Sequence, residues 1–424
     1  MNSEEYQNIL DLLKREVVPA IGCTEPIAVA LCAAKARELL GDIPEYLSVE
    51  LSANVLKNAM GVGIPSTDMV GLPIAIALGT LIGKSDYGLE VLKESNKSSV
   101  QAAKQFVDEK RIEISLKESV PDKLYIEVTA TKGERSSKAI IAGSHTKFIY
   151  LEAPNELLLD EKTHSLRIEE KSEPELNLKK VYDFSISVDL DRIAFILEAA
   201  RLNKKAAQLA FEGEYGHSLG KMIRAKEEIQ SDSFTRALSY TAAACDARMA
   251  GAMIPVMSNS GSGNQGISAT LPVLIYAEDQ GKSREELARA LVLSHLTAIY
   301  IKQNLGKLSA LCGCVVAATG SSCGITWLMG GGYKEISYAV QNMIANITGM
   351  ICDGAKPSCS LKVSTGVSTA ILSALMALEG KCVRSTEGII DSDVDKTIKN
   401  LTKIGATGMN ETDKLVLDIM ISKC

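Results

Sequence analysis

Cys312, in LSALCGCVV, and Cys352 and Cys359, which bracket ICDGAKPSC forty positions later, offer three thiolates to one metal centre. A cubane iron–sulfur cluster with three cysteine ligands leaves one iron open to bind and polarise a substrate, whereas four ligands normally make a closed electron carrier. Three therefore points to chemistry rather than to electron transfer. Cys23, in PAIGCTEPIAVA, is a second reactive candidate. Thr24 or Glu25 is expected to cap a helix with Pro26 in its first turn, so the thiol stands at the positive end of a helix dipole, which favours thiolate. A thiolate there serves as nucleophile, ligand or proton acceptor. A plain buried cysteine suits the same position.

The stretch SNSGSGNQG at 258–266 nominally matches the dinucleotide fingerprint, but its flanks, FTRALSYTAAACDARMAG and SREELARALVLSHLTAIYIKQ, are both helical, and the fingerprint needs a strand and a βαβ unit. What is left is a loop entering a helix, whose free N–H groups could hold a small carboxylate. Ser260, Gly261, Ser262, Gly263, Asn264 and Gln265 are the candidate substrate-binding residues. A tight helix–helix turn is the plainer alternative. Of the four histidines, His145 in AGSHTKF is singled out for proton transfer, His164 and His217 lie in polar surroundings, and His295 sits in an apolar helix that suits a core histidine. A pyridoxal enzyme needs a Schiff-base lysine. Lys57, Lys356 and Lys362 lie in motif-rich stretches, yet nothing around them marks such a site; Lys356 and Lys362 read as surface charges or, at most, as electrostatic support for substrate.

The remaining cysteines and the composition narrow the class. Ten cysteines in 424 residues do not describe a disulfide framework, which belongs to small domains short of core. The acidic opening MNSEEYQNILDLLK lacks a signal-peptide apolar run, so a reducing cytoplasm is expected. Cys32 and Cys245 sit in alanine-rich helical patterns that suit small buried hydrophobes. Cys312 and Cys314 are two apart, so on a helix they point about 200° away from each other, and only one can face a given site. Paired C-x2-C half-sites for structural zinc are missing. A net charge of -6 and 4% aromatics lack the basic footprint of a nucleic-acid binder. The uncharged run 308–333 is diluted by glycine, serine and cysteine and has no aromatic belt, so a helix buried in protein is expected rather than a membrane span.

These residues have to be positioned by an α+β fold: a predominantly helical catalytic domain with a β-rich α/β insert. Residues 1–108 read as helices around one strand, YLSVELSAN. Residues 109–180 fall to period two in RIEISLKES, KLYIEVTATK, KAIIAGS and KFIYLEA and end in a charged connector. Residues 181–424 return to helices.

The blocks IGCTEPIAVA, LKNAMGVGIPSTDMVGLP, AGSHTKF, SNSGSGNQG, SHLTAIYIKQNLGKLSALCGC and ICDGAKPSCSLKVSTG together resemble the cysteine desulfidases, relatives of the α-subunit of iron–sulfur L-serine dehydratases. The resemblance implies that Cys312, Cys352 and Cys359 hold a 4Fe-4S cluster and that Cys23 accepts the substrate α-proton. It implies a lyase that β-eliminates L-cysteine to pyruvate, ammonia and hydrogen sulfide, with the cluster as Lewis acid. In serine dehydratases the glycine loop differs, so carboxylate binding by SNSGSGNQG rests on physics and analogy. Some of those enzymes end in a cysteine that visits the open iron, and this chain ends at Cys424; a free terminal thiol fits as well. The expected partner is a small amino acid, with neither nucleic acid nor membrane, and a homodimer is compatible with the sequence. An L-serine or L-threonine dehydratase and a non-enzymatic iron–sulfur sensor are the competing readings.

Overall fold

The structure, a computed structural model, describes residues 2–120, 122–161, 173–227, 232–306 and 309–423. It is an α+β fold. The first part runs α1 (Ser3–Glu16), β1 (Pro19–Ile21), α2 (Thr24–Leu40), β2 (Tyr46–Leu51), α3 (Ala53–Ala59), the two-residue strands β3 (Gly63–Ile64) and β4 (Met69–Val70), α4 (Leu72–Ile82) and α5 (Lys97–Asp108). Five strands follow: β5 (Ile112–Leu116), β6 (Tyr125–Lys132), β7 (Arg135–Ala142), β8 (Phe148–Ala153) and β9 (Glu156–Asp160). The rest is helical apart from one short strand: α6 (Leu178–Ser187), α7 (Leu190–Ile193), α8 (Leu197–Glu212), α9 (Leu219–Glu227), α10 (Ser233–Met249), β10 (Pro255–Met257), α11 (Gly263–Asp279), α12 (Arg284–Leu305), α13 (Gly313–Leu328), α14 (Tyr333–Ile347), α15 (Cys359–Leu378), α16 (Val394–Lys403) and α17 (Asn410–Ile421).

Local chemistry explains the ends of these elements. The Asn2 side chain accepts the Glu5 N–H at the start of α1, with Glu4 and Glu5 in the first turn and Lys14 and Arg15 in the last, all aligned with the helix dipole. Ser283 and Glu286 form a capping box at α12. The main sheet has the order β5-β2-β6-β7-β8-β9, parallel between β2 and β5 and antiparallel elsewhere. Every strand segment read from period-two patterning is present, and β9 is added at the edge.

The molecule has two main apolar cores. One is formed by α2, α4, α5 and one face of the sheet, including Leu47, Val49, Ile126, Val128 and Ile141. β2, from the N-terminal segment, lies inside this sheet rather than apart from it. The other core joins α1 to the helices from α6 onward. Burial requires both faces of a sheet to be covered or polar, and a change of periodicity marks strands but not the helices that will lie on them.

Within the run at 308–333, Gly313–Leu328 form α13, buried on nearly every side. Glycine permits this packing: a β-carbon at Gly320 would sit 2.2 Å from the Ser294 carbonyl oxygen of α12. Among the described residues, only α15 is long and apolar enough to cross a membrane, and half of that stretch is buried against neighbouring elements.

On the other face of the sheet Glu127, 6% exposed, is held by Lys138 at 2.7 Å, Lys117 at 3.0 Å and the Tyr125 hydroxyl at 2.7 Å. Burial alone would raise its carboxyl, but these partners together bring it down to about 2. Its stabilising contribution is therefore present above the unfolded value of about 4.3 and is lost as pH falls toward 2. Glu127→Gln should lower unfolding free energy at pH 7 by on the order of 2–3 kcal/mol, with the gap to wild type about halved at pH 3 and closed only below about pH 2. Urea titrations at the two pH values check this, and an equal gap at both would show that the charge is not what matters.

Candidate active site

Cys312 and Cys352, forty positions apart, are set side by side by one antiparallel bridge between Leu311 and Ile351. The Cys312 N–H donates to the Met350 carbonyl at 3.0 Å and the Cys352 N–H to the Ala310 carbonyl at 2.7 Å. Cys312 is the N-cap of α13, and Cys359 opens α15. The loop between Cys352 and Cys359 is tied by Asp353, whose carboxylate lies 2.6 Å from Lys356 and pairs also with Lys362. Burial would raise this carboxyl, yet the two ammonium groups hold it at about 2. Lys362 also donates to the Ile351 carbonyl at 2.7 Å. The two lysines read as surface charges thus shape the cysteine loop. Gly354 has φ +87°, and a β-carbon there would lie 2.2 Å from the Lys57 carbonyl oxygen.

The thiols press on one another. Cys314 and then Cys352 are the nearest influences on the Cys312 thiol, whose net shift is upward. Cys312 first, and then burial, push Cys352 well up; burial does the same to Cys359. The expectation that Cys312 and Cys314 face opposite ways fails because Cys312 has the extended backbone of a cap, φ -64° and ψ 132°, and the helical spacing begins only after it. Cys245 is fully buried, as its alanine-rich pattern suggests; burial raises its thiol most, and Cys359 and Cys312 add to the shift.

Among the described residues no three His, Cys, Asp or Glu side chains are arranged to hold a metal ion. The donor set itself is all thiol, which is the soft chemistry of iron–sulfur clusters. It is also accompanied by cations: Lys57 acts on Cys352, while Lys302 and Lys362 both feel Cys312 and Cys352. These charges would offset those of thiolates, so the donor chemistry, although not the spacing of the side chains, suits an iron–sulfur cluster.

Cys23 is itself the N-cap of α2, one position before the expected caps, and makes no side-chain capping bond. It is 4% exposed, and its S–H donates to Glu25 Oε2 at 3.0 Å. Burial and then the Glu25 charge push the thiol well above its usual range, outweighing the helix end that favours thiolate. The Thr24 hydroxyl lies 3.1 Å from the same carboxylate oxygen and 3.4 Å from the Gly261 carbonyl, which joins this turn to the glycine loop. The pairing of β1 with β10 and the bond from the Ser258 N–H to the Val18 carbonyl, 2.9 Å, hold the two segments in register.

In the loop, Ser260 and Gly261 take positive φ, +48° and +78°, and Ser262 caps α11 by accepting the Gln265 N–H. The Gln265 amide donates to the Asn259 carbonyl at 3.3 Å. Its Oε1 would lie 2.7 Å from a β-carbon on Gly313, beside Cys312. The start of α11 is therefore placed between the Cys23 turn and the three-cysteine set. His295 is a satisfied core histidine: Asn259 Nδ2 lies 3.1 Å from Nδ1 and Thr270 Oγ1 3.0 Å from Nε2. Burial pushes it down to about 3, so it is neutral and anchors Asn259. His145 lies in the turn from β7 to β8, whose Gly143 N–H bonds the Leu124 carbonyl. Lys123, next to Leu124, acts on Lys302. His164 and Cys424 lie outside the described residues.

Lys302 lies near the end of α12, where burial pushes it down to about 8 against the opposing pull of Cys352, Cys312 and Glu25. Sequence reading missed Lys302 and Arg248. Each is a single cation inside an otherwise apolar or small-residue helical run, LTAIYIK and TAAACDAR, and that contrast was the available signal.

This fold and site define the class. A sequence model of the family described as the serine dehydratase alpha chain matches residues 86–418, and the chain belongs to that family, a lyase-type lineage. The match includes the glycine loop and the three cysteines; Cys23 precedes it. The chain is 66% identical to a UPF0597 protein of Bacteroides thetaiotaomicron, over 100% of this chain and 99% of the relative. It is 54% identical to one of Porphyromonas gingivalis over all of both chains, and 45% identical to one of Aeromonas hydrophila over 99% of this chain and 97% of the relative.

Proposed function

We propose that this chain is an iron–sulfur lyase that removes sulfide from L-cysteine, giving aminoacrylate that hydrolyses to pyruvate and ammonia. The observation that carries the reading is the start of α11, whose loop meets the Cys23 turn through Thr24 and the Gly261 carbonyl at 3.4 Å and whose Gln265 abuts Gly313 beside Cys312. A 4Fe-4S cluster on Cys312, Cys352 and Cys359 would supply a Lewis acid for a departing sulfur. Cys23 removes the α-proton as its thiolate, formed by loss of the thiol proton to solvent. A thiol held high is poorly ionised at rest, yet its thiolate is a strong base, which matches a weakly acidic C–H. The electron pair of that C–H forms the Cα=Cβ bond as the Cβ–S bond breaks.

The Gly263 and Asn264 N–H groups, without a preceding turn of carbonyls, orient the carboxylate, while the Ser262 and Gln265 side chains hold the loop itself. His145, on the sheet side, assists proton exchange with solvent.

The family name favours a second reading, in which the same site expels hydroxide from L-serine. One anaerobic preparation decides between them. Iron and acid-labile sulfide are quantified, and sulfide, pyruvate and ammonia are measured after addition of L-cysteine or L-serine. Sulfide from cysteine with no ammonia from serine supports the desulfidase. Ammonia from serine alone makes it a dehydratase. Iron without either product makes it a sensor, and a colourless preparation free of iron removes the cluster altogether.

A further inference from the structure

Arg248, in the last turn of α10, is a buried charge with no counter-ion. It is 4% exposed, its Nε has no hydrogen-bond partner, and among the described residues no carboxylate lies within ion-pair distance of it. Its hydrogen-bond acceptor is neutral: Nη1 donates to the Asn264 Oδ1 at 3.1 Å. The Asn264 amide is in turn oriented by its Nδ2, 3.3 Å from Met249 Sδ. A guanidinium in this setting is strongly disfavoured unless an anion reaches it.

The surroundings make the missing anion more specific. The guanidinium lies against the first residue of α11: a β-carbon on Gly263 would sit 2.2 Å from Nε and 2.7 Å from Cζ, so glycine is what lets the Arg248 side chain pack here. Two positive features, a guanidinium and the amino end of a seventeen-residue helix, therefore lie against each other, and among the described residues Arg248 forms no ion pair. The Cys23 thiol feels the Arg248 charge on one side, and the Cys245 thiol feels it on another. A small carboxylate seated here would meet a planar two-pronged donor together with backbone N–H groups, within reach of the proposed base.

We propose that Arg248 is the receptor for the substrate α-carboxylate, which restricts the site to small free α-amino acids and excludes their amides and esters. The proposal deepens the lyase reading and rests on it for the identity of the ligand. Its test uses the reconstituted holoprotein and L-alanine, an amino acid with no leaving group, beside L-alaninamide, which lacks the carboxylate.

Calorimetric binding of L-alanine by wild type, no binding of L-alaninamide, and a loss of at least about 30-fold in L-alanine affinity for Arg248→Gln are expected. Arg248→Lys should recover only part of that loss, since an ammonium cannot bind in the two-pronged mode. Equal binding of L-alaninamide by wild type, failure of wild type to bind L-alanine, or unchanged L-alanine affinity in Arg248→Gln overturns the proposal. Thermal melts and visible absorption establish that the variant is folded and loaded; if Arg248→Gln does not fold, the wild-type comparison of the two ligands still decides. Carboxylate-dependent binding without turnover of cysteine or serine would sink the lyase reading while leaving Arg248 as a carboxylate receptor.

Discussion

Cys352→Ser should yield a folded protein that has lost the broad visible absorption of an iron–sulfur centre and, with it, at least about 1000-fold in turnover. Serine preserves shape, and the backbone bond from residue 352 to the Ala310 carbonyl that closes the Leu311–Ile351 bridge does not involve the side chain. The fold should therefore survive. What changes is the donor, from a soft thiolate to a hard hydroxyl that iron–sulfur clusters accept poorly. Cys359→Ser should behave in the same way. Cys323→Ser is the internal control, because Cys323 is buried inside α13 and bonds the Thr319 carbonyl of its own helix at 3.3 Å. Iron content, absorption spectra and melting curves of the three variants, prepared anaerobically side by side, check the expectation. Retained colour and iron in both Cys352→Ser and Cys359→Ser would remove these residues as cluster ligands.

Cys23→Ser should separate colour from catalysis: iron and absorption stay at wild-type levels, and kcat falls by about 10²–10⁴. The residue lies at the start of α2, outside the cysteine loop, so the loss tests proton removal rather than cluster assembly. A serine hydroxyl still donates to Glu25 but is a far weaker acid than a thiol, so the base form is lost. The pH profile adds a second readout. Burial and Glu25 hold the wild-type thiol well up, so its thiolate is a minor form near neutrality, and kcat/KM should rise with pH between about 6 and 9. Loss of that rise in Cys23→Ser identifies the group responsible, whereas an unchanged profile at wild-type rate would clear Cys23 of any role.

Much of the site was legible because its chemistry is carried by residue type. Three cysteines, a glycine-rich helix entry and a cysteine before TEP are visible in one dimension, as are period-two strands. The errors have a common origin. Cys312 and Cys314 were placed on opposite faces by helical spacing, but a cap residue does not obey that spacing. The thiolate expected at Cys23 came from the helix end, a local effect, and was overturned by burial and the Glu25 carboxylate, which depend on the folded surroundings. Lys356 and Lys362 looked like solvated charges because Asp353 offers no hint, in sequence, that it gathers both.

The sequence by itself determined the donor chemistry, the alternation of helix and strand, and the family to which those motifs belong. Side-chain type and hydrophobic period are local properties, so no fold is needed to read them. Only the tertiary structure decided that β2 joins the sheet, that one bridge sets Cys312 beside Cys352, and that the glycine loop meets the Cys23 turn through Thr24 and Gly261. The unpaired burial of Arg248 over Gly263 belongs to the same class of facts. Ionisation and pairing are set by which chain segments exclude water from one another, and that depends on contacts between residues hundreds of positions apart.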